Sequence, residues 1–399
     1  MTISKLRSEW AYVSGRVAAL ASRPLMLLAI NHLGGNELAS TVAVVFLVAM
    51  LAMAVSAFDT HRHFYQSFFG HRPVRGVRDR YRSYCAATAL QIAMVIPLLI
   101  GFITYRFNDT LLALLVAGYF ASERLADESQ RFLIFGRRRQ EWGWRIMGKA
   151  VIQLFGVTAS VALVDSYAAH LSVVCLLVGN LVAYGSKVFK RHLPASLKDW
   201  GKAFQTCLQQ RLFWLLSMIT TAILYLDRVV VMSFQQSDMA AYTILVSSMA
   251  IIQNAVDYFF VSIRRRDILQ GQLSLRGVFL NRGFCLTLGI SALAGCAVSW
   301  GMLRLYHGLE IKHIGLIPIS LVSQIALAIT MVMREIIYWN HSISSLTILE
   351  GGFIVSAFVG FYLIHLGGFG YEAALGVTSL LLTFRVFLMA WGISRFKNK

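Results

Sequence analysis

A chain of 399 residues that is 57% hydrophobic, only 14% charged and holds five prolines is too apolar for a water-soluble domain. These proportions exclude soluble enzymes and point to an integral, multi-pass membrane protein. The net charge of +18 would suggest a nucleic-acid partner in a soluble chain, but the basic residues concentrate in short loops on one side of the apolar runs. The charge is therefore read as topology, and no nucleic acid is expected.

In chain order, apolar helical runs are predicted at about 10–30, 38–58, 84–105, 111–135, 146–165 and 169–189. A basic stretch, 187–211, follows. Six further runs come at about 212–232, 239–260, 283–303, 314–333, 343–366 and 372–394. The predicted fold class is an all-α polytopic membrane protein of about twelve transmembrane helices in two six-helix halves. The halves are 1–190 and 212–399, joined by a basic cytoplasmic linker, 191–211.

Loop charge sets the orientation. One set of loops carries most of the lysines and arginines, among them Arg72 to Arg82, Arg137 to Arg145 with Lys149, Lys187 to Arg211 and Arg264 to Arg266. The other set holds only Arg106, Arg304 and Lys312. By the positive-inside rule the first set is cytoplasmic, and so are both termini. The outer loops are very short, which leaves no room outside for a catalytic domain. Arg16 and Arg23 within the first run argue against a removable signal peptide. The five cysteines, Cys85, Cys175, Cys207, Cys285 and Cys296, are scattered and indicate neither a disulfide framework nor a metal site.

A charge at the bilayer centre costs roughly 2.5–3.5 kcal/mol on insertion scales, so charges inside the runs need a reason. In the run 111–135, Arg124 with Glu128 and Asp127 with Arg131 have the i,i+4 spacing of self-paired helix charges. They fit a solvated cytoplasmic extension as well as a role in a lumen. Arg16 and Arg23 are seven residues apart and so share one helix face, as a basic stripe without an acid within a turn. Arg228 stands beside Asp227, and Arg385 lies mid-helix among aliphatic and aromatic neighbours. Either these four arginines meet acids across helices, or they bind an anionic guest in a wet cavity. Asp227, Asp257, Glu350 and Glu123 are the candidate counter-charges or ion-coupling groups. His61, Arg62, His63 and His71 read as a basic loop, and Gly367-Gly368-Phe369-Gly370 as a tight turn. No metalloprotease, Walker or nucleophile-elbow motif occurs, so no metal, cofactor or catalytic residue is predicted.

With its twelve runs and basic mid-chain loop, the chain resembles the polysaccharide-transporter branch of the multidrug/oligosaccharidyl-lipid/polysaccharide exporter superfamily, the flippases of the Wzx type. The local likeness is carried by LYLDRVVVMSF around Asp227-Arg228, by SDMAAYTILVSSM with Ala240, Ala241 and Tyr242, and by GGFGYEAALGV before the last run. The chain departs from the branch where Tyr371-Glu372 precede Ala373-Ala374. The resemblance implies a bacterial inner-membrane protein that turns an undecaprenyl-diphosphate-linked oligosaccharide to the periplasmic leaflet by alternating access. A polysaccharide polymerase and a chain-length regulator would be its partners. A cation-coupled multidrug exporter and a membrane enzyme of polysaccharide assembly are the alternatives. The exporter should favour unpaired carboxylates, and the enzyme would need larger outer loops.

Overall fold

A computed structural model describes residues 3–57, 77–135, 138–164, 166–192, 197–209, 211–262, 277–278, 281–306, 311–340 and 343–396. The histidine-rich segment 61–71 and Arg264 to Arg266 lie outside the described residues. The chain forms two compact units, Met1–Met218 and Ile219–Lys399.

The first unit begins with α1 (Ile3–Ala57), which Gly35 interrupts at φ 82° and ψ 173°. That conformation is open to glycine and strained for other residues. The break separates the two predicted runs 10–30 and 38–58. α2 (Val77–Phe107) ends at Asn108, whose φ is 51°. Asp109 then starts α3 (Thr110–Phe135) by accepting a bond from the Leu112 amide at 2.8 Å, and it binds His170 Nε2 at 2.9 Å. α4 (Arg139–Leu163), α5 (Ala168–His192) and the short amphipathic α6 (Leu197–Gln209) follow, and the unit ends at Met218.

α4 begins about two turns earlier than the predicted run at 146. The segment before it is helical because Glu141 supports the first turn and Trp142 packs its ring 4.8 Å from that of Tyr12 on α1. One sequence reading changes as a result. Lys149, assigned above to a cytoplasmic loop, lies well inside α4 and is buried.

α1 and α4 cross at backbone distance. A Cβ added to Gly15 would sit 2.8 Å from the Gly143 Cα, and one added to Gly143 would overlap the Ala11 carbonyl. Small residues permit this approach where apolar helices gain nothing from hiding from lipid. Gly143→Leu is therefore expected to lower the thermal unfolding midpoint in detergent, corresponding to about 1–3 kcal/mol of overpacking strain. Gly148→Leu is the control, because a Cβ there meets nothing within 4 Å. Equal midpoints for the two variants would show that the crossing is not tight.

The second unit takes in α7 (Arg211–Phe234) from Ile219 onward. A 3-10 turn (Gln236–Asp238), α8 (Met239–Met249) and α9 (Ile251–Val256) follow, and α9 continues into a π turn (Asp257–Ser262). Then come α10 (Arg282–Arg304), α11 (Ile311–Asn340), α12 (Ile343–Leu366) and α13 (Tyr371–Phe396). Ile223, Leu226, Leu327, Phe353 and Leu382 form its apolar core. The predicted turn before the last helix is present, with Gly368 at φ 68°.

Among the described residues, nine segments are long and apolar enough to cross a membrane, Glu9–Ser56 being counted as one segment of 48 residues. The described elements are helical, and the protein is a multi-pass membrane protein. A count of twelve spans requires the two arms of α1 to be separate spans and adds α3 and α7, which are not among the nine.

Candidate functional site

Three helices of the first unit carry polar residues on one face at helical spacing: Arg16 and Arg23 on α1, Glu123 and Gln130 on α3, Lys149 and Gln153 on α4. The packing of α1, α3, α4 and α5 brings Arg23, Glu123, Gln130, Lys149 and Gln153 to one cavity of about 230 Å³, with Tyr119, Ser22, Met26 and Phe46 also on its wall. Arg16 is not on the lining. Cavities that swallow a drug-sized molecule run to roughly 300–1,000 Å³, so this one suits a charged headgroup better than a whole lipid-linked saccharide.

The electrostatics of the wall are built around one carboxylate. Lys149 Nζ donates to both oxygens of Glu123, at 2.7 and 2.6 Å. Arg23 acts electrostatically on Glu123 and on the Tyr119 hydroxyl. It also donates to Met50 Sδ at 3.3 Å and lies over the Phe46 ring. Behind Lys149, Gln153 donates to the Leu176 carbonyl at 2.7 Å, and Asn180 donates to Ser122 Oγ at 2.9 Å, so the polar layer continues into α5 and back to α3. Among the described residues on the wall, two cations thus face one anion, and their charges sum to a positive one.

Arg16 points elsewhere. Its Nε and Nη2 donate to Tyr12 Oη at 3.1 and 2.8 Å, one turn back on α1. The Arg139 guanidinium also lies over the Tyr12 ring and pairs with Glu9 at 3.0 Å. The self-paired charges 124–131, open to a solvated extension or to a role in a lumen, divide into a partly exposed and a buried pair. Asp127 and Arg131 pair at 2.8 Å and are partly exposed, but Arg124 and Glu128 pair while fully buried, because the helices of the unit close over that face.

The other candidates lie in the second unit. Arg385 donates through Nε to Glu350 Oε2 at 2.8 Å, through Nη2 to Glu350 Oε1, and through Nη1 to Thr330 Oγ1 at 3.0 Å. Both charged residues are buried. Of the two arrangements open to Arg385, the structure has the interhelical ion pair. Arg228 lies over the Tyr225 ring, 4.8 Å from its centroid. Its neighbour Asp227 is buried and accepts from Tyr242 Oη at 3.0 Å and from the Arg228 amide at 2.8 Å. Asp257 is half-buried and opens the π turn. Sequence reasoning missed a further buried carboxylate, Asp238, which accepts from Tyr371 Oη at 2.8 Å. It also misplaced Lys149, although the face Lys149, Gln153, Ser160 within an apolar run carried the signal. No group of three potential metal-ligating side chains occurs among the described residues.

No family model matches this chain, and no curated protein matches its sequence. Solved structures do. A lipid II flippase, MurJ, in an inward closed conformation superposes with a TM-score of 0.61 at 13% identity, over 96% of this chain and 87% of that one. An outward-facing multidrug resistance MATE family transporter of the MOP superfamily gives 0.58 at 11% identity, over 98% and 95%. A MOP superfamily transporter from Pyrococcus furiosus, described as having a binding pocket of reversed polarity, gives 0.53 at 10% identity, over 98% and 95%. At such identities the likeness is one of fold alone.

Proposed function

We propose that this protein is a flippase of the bacterial cytoplasmic membrane, and that it moves an undecaprenyl-diphosphate-linked oligosaccharide outward by alternating access for surface-polysaccharide assembly. The observation that carries the reading is the cavity in which Arg23 and Lys149 face the single carboxylate of Glu123. A diphosphate is the anion that a guanidinium fork and an ammonium would hold together through charge-assisted hydrogen bonds. A positive cavity is poorly suited to the cationic substrates of a multidrug exporter. The fold and the polar cavity between helices of the first unit both support transport in place of synthesis. Twelve spans with both termini in the cytoplasm belong to the same proposal and are supported by the one-sided loop charge.

Deleting the gene is expected to leave synthesis of the lipid-linked repeat unit intact while surface polymer disappears. The unit then collects in the inner leaflet, protected from a lectin applied to spheroplasts. A lectin-accessible unit in a strain without another flippase would overturn the proposal. Normal polymer with raised sensitivity to cationic dyes would instead identify a drug exporter.

A further inference from the structure

The Lys149–Glu123 pair sits on the cavity wall itself, and its geometry has a use beyond holding two helices together. Both carboxylate oxygens of Glu123 are spent on one ammonium, much as two oxygens of a bound phosphate would be. We infer that Glu123 is an internal stand-in for the substrate's anion: an arriving diphosphate takes Lys149 from it, and Glu123 then takes up one proton. This inference rests on the anion-binding reading above.

Charge balance in a poorly solvated space is the reason. Among the described residues, the ionisable groups on the lining are Arg23, Lys149, Glu123 and Tyr119, whose charges sum to a single positive one. A dianion entering without further change would turn that sum to a single negative charge, and would leave Glu123 buried without its ammonium. Breaking a buried pair while keeping one partner charged is costly, about 3–5 kcal/mol where measured. A proton on Glu123 removes that cost, because cavity, dianion and neutral acid then sum to zero. The proton comes from the surrounding solution as the anion enters, and it returns to solution when the anion leaves and the ammonium re-pairs with the carboxylate.

The groups that face Glu123 allow this exchange. Arg23 of α1 acts on it from the cavity, Lys149 of α4 binds it, Asn180 of α5 can bond to it in either state, and Tyr119 of α3 and Tyr184 of α5 stand near. The neighbouring acid on its own helix, Glu128, is bound to Arg124, and Asp127 is bound to Arg131, so neither depends on Lys149. An anion that recruits one proton binds about tenfold more tightly for each unit fall in pH. Substrate binding would then be linked to the protonation of one side chain.

The test uses the full-length protein in detergent and methanedisulfonate, a dianion whose own charge is constant across the neutral range. Calorimetry in two buffers of different ionisation enthalpy gives the protons taken up per anion bound. Wild type is expected to take up close to one proton and to tighten about tenfold per unit of falling pH. Glu123→Gln is expected to bind more tightly than wild type at neutral pH, with no proton uptake and no pH dependence, while Lys149→Met loses binding. Wild type and Glu123→Gln binding alike, without proton uptake, would overturn the exchange and leave the anion site standing. Absence of binding to wild type and to Glu123→Gln, each with a wild-type unfolding midpoint, would overturn the anion site and with it the flippase reading.

Discussion

Glu350→Leu is expected to destabilise the protein by about 3–5 kcal/mol. The variant strands the Arg385 guanidinium, which is 4% exposed and keeps only the Thr330 hydroxyl among its bonded partners described above. A buried ion pair adds little against an apolar pair of the same size, but half of one is very costly. The double variant Glu350→Leu/Arg385→Leu is therefore expected to recover most of the loss. Thermal or denaturant unfolding in detergent measures both. If Glu350→Leu unfolded like wild type, Arg385 would not depend on Glu350, and a substrate-binding role for this arginine would return to favour.

Arg23→Ala is expected to abolish export while the protein folds and inserts normally. Loss of one charge-assisted contact to a buried anion costs about 2–5 kcal/mol, roughly 30-fold or more in affinity. Arg23→Lys is expected to restore only part of the activity, since an ammonium offers a point charge where the guanidinium offers a planar fork. Arg16→Ala should have a smaller effect, because Arg16 is engaged with Tyr12 and is not on the cavity lining. Surface polymer scored against membrane expression of each variant checks the order. Equal activity of Arg23→Ala and wild type at equal expression would remove the cavity as the site. Arg16→Ala falling further than Arg23→Ala would move the site along α1.

Both predictions turn on facts that the sequence left open in different degrees. The membrane character, the order of most spans, the glycine turn before α13 and the self-paired charges of α3 are local properties. Apolar runs of bilayer length, a residue that tolerates positive φ, and i,i+4 spacing can all be read from neighbouring positions in the chain. Intramembrane arginines could likewise be picked out by their cost alone.

Which charge meets which could not. Glu123 and Lys149 are 26 residues apart, and Glu350 and Arg385 are 35 apart. Whether such residues touch depends on how each helix is rotated about its axis and on how closely its neighbours approach. At α1 and α4 that approach is decided by the Gly15–Gly143 crossing, which sets the two backbones in contact and turns Arg23 and Lys149 to the same cavity wall. Spacing along one helix marks a face as polar. Only the packing of helices distant in sequence decides whether that face meets a partner, as at Arg385, or a cavity, as at Arg23, because ion pairing acts over a few ångströms in space whatever the separation along the chain.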